Sequence, residues 1–177
     1  MLKPDATVLL LPDAGPLITL ACANALDILF KPGWPVHIVD MVLHEVTRHQ
    51  TPTSKTIAAW VKVNGLPIVP TKTFMHYQRI KASDSPIPRK ANLGELAIQE
   101  AMNDVALTAS SSTSVFLFED HKIARASFLV PENCRKVSTR AFLLFLEQKG
   151  WLASAAQVER MAITNGRHFS QLRFPPA

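Results

Sequence analysis

Four acidic residues stand where strands and helices would deliver them to a shared cation. Asp13 comes directly after the apolar run Thr7-Val8-Leu9-Leu10-Leu11-Pro12, and Asp120 follows Val115-Phe116-Leu117-Phe118-Glu119. Two carboxylates carried to one edge of a sheet repel each other unless a cation lies between them. Hard divalent ions prefer such oxygen donors, and magnesium takes one or two carboxylates while keeping several waters. Glu45 and Glu95, each near the start of a helix expected at the same edge, are the further candidates. Each acid also has a structural reading. Asp13 can cap the helix that follows it, and Glu95 fits a capping box with Asn92. Glu45 can pair with Arg48 or His49 on its own helix, and Asp120 with Lys122 or Arg125 at the surface. Glu119 and Asp120 point to opposite faces if the strand runs that far, so Asp120 is preferred and Glu119 held in reserve.

The elements that must position these residues follow from the apolar pattern. Thr7–Leu11 and Val115–Phe118 are continuous apolar runs of the kind found in strands buried on both faces. Asp13-Ala14-Gly15-Pro16 opens a helix, with proline in the first turn and Leu17, Leu20, Ala21 and Ile28 at helical spacing. Lys31–Pro35 is a loop, Val36–Val39 a strand, and Asp40 the N-cap of a helix over Met41–His49. A helix over Lys55–Val63 stops at Asn64-Gly65, and Ile68-Val69 is a short strand. Ser83–Arg89, with Pro86 and Pro88, is expected to be flexible. Asn92 caps a helix reaching about Leu107, and Ser110–Ser114 is a polar loop. Lys136-Val137 is a last strand, and Ser138 caps a helix to Gly150. A helix over Ala153–Ile163 ends at Asn165-Gly166. Strands alternating with helices in this way predict a three-layer α/β/α fold around a mainly parallel sheet. Ligands in such folds bind beyond the carboxyl ends of the strands, where Asp13 and Asp120 fall.

The 177 residues, 47% of them hydrophobic, suit one domain over 1–177, with 151–177 as a helical extension. No run approaches the roughly 18 apolar residues of a membrane span, and the N-terminus lacks a signal-peptide pattern, so a cytoplasmic protein is expected. Cys22 and Cys134 are distant and read as free thiols. Nineteen Lys and Arg against fourteen Asp and Glu give a formal charge of +5, which favours polyanionic partners.

In order and spacing the acidic segments resemble a PIN domain, the nuclease family that includes the VapC-type toxins of toxin–antitoxin pairs. The resemblance rests on Val8-Leu9-Leu10-Leu11-Pro12-Asp13-Ala14-Gly15-Pro16-Leu17-Ile18 and Val42-Leu43-His44-Glu45-Val46. It continues with Leu93-Gly94-Glu95-Leu96-Ala97-Ile98 and with Phe116-Leu117-Phe118-Glu119-Asp120 followed by Arg125, and covers about residues 7–150. It departs from the family where the mid-chain acid, often Asp, is Glu95, and where the late acidic pair begins with Glu119. The resemblance implies a metal-dependent endoribonuclease that uses magnesium or manganese. Asp13 and Asp120 would be inner-shell ligands, with Glu45 and Glu95 as ligands or water-orienting groups. Lys122, Arg125 and Arg48 are expected to steer the RNA backbone. The partners it implies are RNA, a cognate antitoxin and a second copy in a homodimer. The alternative is a PIN-fold nucleic-acid-binding or regulatory protein whose site is idle.

Overall fold

The computed structural model describes residues 7–83, 92–108, 111–119 and 130–168. The first apolar run forms strand β1, Val8–Pro12, and the strongest later run forms β4, Thr113–Phe118. They pair in parallel, with Leu10 opposite Val115 and Pro12 opposite Leu117. On its other side β4 pairs in parallel with β5, Cys134–Ser138. Two short strands, β2 (Ile38–Val39) and β3 (Ile68–Val69), make a second parallel pair. A bridge between Leu10 and Val36 ties that pair to β1, with Leu10 N–H donating to Pro35 O and His37 N–H donating to Leu10 O. The spatial order is therefore β3-β2-β1-β4-β5.

Neighbouring residues of a strand point to opposite faces, yet Ser114 through Phe118 are all buried. Both faces of the central sheet are thus covered by helices, giving the three-layer α/β/α arrangement. The covering helices are α1 (Ala14–Cys22), α2 (Asp40–Thr47), α3 (Pro52–Val63), α4 (Lys72–Ala82), α5 (Leu93–Thr108), α6 (Thr139–Gln148) and α7 (Ala155–Thr164). The core gathers Leu10, Leu11, Leu17 and Leu20 with Ile98, Met102, Phe116, Phe118 and Phe142, all essentially excluded from solvent. No helix among the described residues is long and apolar enough to cross a membrane.

Several elements differ from the sequence-based expectation for identifiable reasons. Helix α1 stops at Cys22 because Asn24 takes a left-handed conformation (φ 54°), so Ile28 falls in a separate 3-10 turn, Leu26–Phe30. Asp40 is the first residue of α2 rather than its cap. Its Oδ1 accepts from Met41 N at 2.7 Å, and the carboxylate also accepts from Thr71 N and Thr71 Oγ1, each at 2.7 Å. Helix α3 starts three residues early, at Pro52, because the Thr51 hydroxyl caps Ser54 N. Strand β4 extends back to Thr113, since Ser114 is drawn into pairing with both β1 and β5. Helix α4, not foreseen, has no buried residue and so no apolar stripe to announce it. Thr71 caps it, and the Glu100 carboxylate accepts from Lys72 N and Thr73 N at its first turn. The flexible stretch expected over 83–89 lies, apart from Ser83, outside the described residues.

The final helix packs on the body of the protein. Ala155, Glu159 and Ala162 of α7 are buried, Arg140 of α6 bonds Glu159 at 3.0 Å, and Glu147 accepts from Ala155 N. The two-point grip of Asp40 on Thr71 fixes where α2 stands relative to the β3–α4 junction. Asp40→Ala leaves a buried hydroxyl and a backbone N–H without this acceptor. We expect it to destabilise the fold by about 1–3 kcal/mol, read from the urea midpoint at constant slope.

Candidate active site

The strand order turns at β1, whose neighbours β2 and β4 lead away in opposite directions, and this is where α/β folds open a crevice beyond the strand ends. Asp13 occupies that point. Its backbone is still extended and its N–H donates to Leu117 O at 2.9 Å, so the residue bearing the carboxylate makes the last bond from β1 to β4. Although Asp13 sits at the N-cap position of α1, its side chain makes no cap hydrogen bond to that helix. The residue is 0% exposed. Taking a carboxylate out of water is expensive, so such a placement needs a compensating environment.

Glu119 follows the end of β4 and is 4% exposed. Its Oε1 accepts from Thr19 Oγ1 at 2.7 Å and from Thr139 Oγ1 at 3.4 Å, which fixes the side chain along α1 and against the start of α6. Gly15 makes room for it: a Cβ there would stand 2.5 Å from Glu119 Cγ. The positive partner comes from the C-terminal segment. Arg167 Nη2 lies 3.8 Å from Glu119 Oε1, and Arg167 Nε donates to Thr19 Oγ1 at 2.9 Å. The Thr19 hydroxyl therefore accepts from the arginine and donates to the glutamate. Asn165 holds the same segment in place by donating to Cys22 O at 2.7 Å.

Glu45 meets a different element. Its Oε1 accepts from Gly94 N at 3.2 Å, placing the carboxylate against the first turn of α5, where a negative charge is favoured. An added Cβ at Gly94 would lie 2.7 Å from Glu45 Oε2. Glu95 is the next residue of that turn and is half-buried. The first intrahelical bond of α5 runs from Leu96 N to Asn92 O, as the capping-box reading of this segment requires of its backbone. Arg48 is exposed at the end of α2. Asp120, Lys122 and Arg125 lie outside the described residues. Glu45 and Arg167 both line a cleft of about 380 Å³, together with Ile18, His49, Thr53 and His168.

The donor set consists of carboxylate oxygens, the chemistry that suits a hard divalent cation. Asp13 is such a donor, buried at the carboxyl end of β1, and Glu119 is another, with Arg167 3.8 Å away. Among the described residues no group of three or more His, Cys, Asp or Glu side chains is placed to hold one ion. Asp13 and Glu119 follow the adjacent strands β1 and β4, and Glu45 bonds the residue before Glu95. Residues 15, 19, 139 and 167 were not singled out from the sequence. Gly15 and Pro16 read only as helix-opening residues, and Arg167 merely follows a helix stop.

Two other titratable groups are perturbed nearby. Burial, then the charges of Lys81 and Arg48, push His44 below the ordinary imidazole value. Burial alone would raise Glu100, but the bonds from Lys72 N, Thr73 N and Thr73 Oγ1, with the charge of Lys72, outweigh it and hold the carboxyl below its usual value. Compared with known proteins, the chain matches no family model, no curated protein and no solved structure.

At about 4 Å, opposite charges attract by roughly 4 kcal/mol in a partly buried setting, and withdrawing each ion from water costs several kcal/mol. The Arg167–Glu119 pair therefore adds little net stability, while removing one partner is costly. Arg167→Ala should lower stability by about 1–3 kcal/mol by stranding the buried Glu119. In a urea double-mutant cycle, Glu119→Gln should recover part of that loss, with a coupling above about 0.5 kcal/mol.

Proposed function

We propose that this protein is a metal-dependent endoribonuclease of PIN type, hydrolysing RNA phosphodiester bonds as the toxin of a toxin–antitoxin pair. The single observation that carries the reading is Asp13. It is a fully buried carboxylate at the carboxyl end of β1, at the turning point of the strand order. The order of the acidic segments along the chain supports the same reading, as does the formal charge of +5. On this proposal Asp13 and Asp120 hold magnesium or manganese, and Glu45 and Glu95 act as further ligands or orient water. The ion, when bound, supplies water of lowered pKa and offsets charge on the phosphate. Arg48, Lys122 and Arg125 draw the RNA backbone past the acids. A cognate antitoxin and a homodimeric partner complete the proposal.

A second reading has its own support. Glu119, at the end of β4, has the guanidinium of Arg167 3.8 Å away. A PIN-like scaffold with an idle site would serve nucleic-acid binding or regulation without cleavage.

The purified protein with manganese and a pool of cellular RNA tests the proposal. Asp13→Asn, shown to be folded by its circular dichroism, should abolish cleavage that the wild type performs. Equal cleavage by both proteins refutes the role of Asp13, and a manganese titration of the wild type that shows no millimolar-or-better binding favours the idle scaffold.

A further inference from the structure

Helix α2 has two functional sides. Glu45 faces the cleft shared with Arg167, while its neighbour His44 faces a separate recess of about 280 Å³ between α2 and α4. That recess is lined by His44, Phe74, Tyr77, Gln78, Lys81 and Ala82. Its rings form a set. His44 Nε2 and Tyr77 Oη lie 3.1 Å apart within hydrogen-bonding distance. The His44 ring centre is 5.4 Å from that of Phe74 and 5.1 Å from that of Tyr77, and the Phe74 and Tyr77 planes differ by only 16°. All three residues are half-buried, so the rings are held yet reach the recess.

Among the described residues that line the recess, the one Lys or Arg is Lys81 and none is acidic. Helix α4 carries Lys72, Arg79 and Lys81 and no acid of its own. Lys81 lines the recess, and Arg48, one turn along α2 from His44, is exposed. Glu100, the acid that reaches α4, is bonded to the other end of the helix, at Lys72 and Thr73. Aromatic faces beside cations suit an unpaired base and its phosphate, because every base presents a π-face and the backbone requires positive charge. Gln78 adds an amide that both donates and accepts, as base edges do.

We propose that the recess between α2 and α4 binds one unpaired nucleobase of single-stranded RNA against the His44, Phe74 and Tyr77 rings, with Lys81 and Arg48 taking the adjoining phosphate. This rests on the reading of the protein as RNA-binding and adds to it a subsite one residue along α2 from Glu45. A base seated there places its strand beside Glu45 and selects single-stranded over duplex substrate, since a paired base cannot leave its stack without cost.

The test is fluorescence anisotropy of a labelled ten-nucleotide oligoadenylate at fixed salt, with chelator present so that the strand is not cut. Tyr77→Ala should weaken binding about tenfold, and Tyr77→Phe, which keeps the ring, should bind within about twofold of the wild type. An abasic strand of the same length should bind the wild type weakly and be indifferent to Tyr77→Ala. Lys81→Glu, at an exposed position, should weaken oligoadenylate binding and serves if Tyr77→Ala does not fold. Wild-type affinity for oligoadenylate in Tyr77→Ala, or in Lys81→Glu where it stands in, overturns the subsite while leaving the nuclease proposal standing. A wild type that binds no oligoadenylate also overturns the subsite, whereas the nuclease reading stands or falls on the cleavage assay with cellular RNA.

Discussion

The parallel pairing of β1 with β4 is the constraint on which the candidate site depends. These strands are about a hundred residues apart in the chain, and nothing local brings them together. What drives the pairing is the burial of Leu10, Leu11, Phe116, Leu117 and Phe118, each worth about 1.5–3 kcal/mol when taken from water. The register then does the positioning. With Pro12 opposite Leu117 and Asp13 bonded through its backbone to the same residue, the chain beyond β4 has to emerge beside Asp13. A slip of one residue would turn every side chain to the opposite face, exchanging buried positions throughout both strands. The apolar core therefore determines where the carboxylates stand, although no carboxylate contributes to it.

Around that edge the protein balances charge with its own side chains. Glu119 is deep enough that its bonds to Thr19 and Thr139 and the nearby guanidinium of Arg167 are all needed to compensate lost hydration. The cation is delivered by the segment after α7, whose helix packs on α1 and α6. The region expected as an appendage thus contributes to the edge of the sheet. Glu45 is handled differently: it lies at a helix N-terminus, where the unpaired N–H groups of the first turn favour an anion. Two acids with similar sequence credentials consequently have different electrostatic settings.

Helix α2 links these regions. Asp40 at its start is bonded to Thr71, which fixes α2 relative to α4 and thereby shapes the recess between them. Glu45 and His44 then fall on either side because successive helical residues are turned by about a third of a revolution. One short helix of eight residues therefore lines both the cleft at Glu45 and the aromatic recess.

The sequence by itself determined the α/β class, the two strands that carry the edge, and the caps at Ser138 and at the Asn165-Gly166 stop. These are local matters of apolar runs, turn residues and capping side chains, so they are written in consecutive positions. It also determined that Asp13 would stand at a strand end, because Pro12 and Gly15-Pro16 bracket it. It left open whether Asp13 caps α1, and it missed α4, whose stability comes from Thr71, Glu100 and contacts with other helices rather than from a buried stripe of its own. Only the tertiary structure decided that Glu45 meets Gly94, that Gly15 is small to admit Glu119, and that Arg167 is the partner of Glu119 across nearly fifty residues. Each of these is a contact between elements far apart in the chain, set by how helices pack on a twisted sheet, and residue order alone carries no record of that geometry.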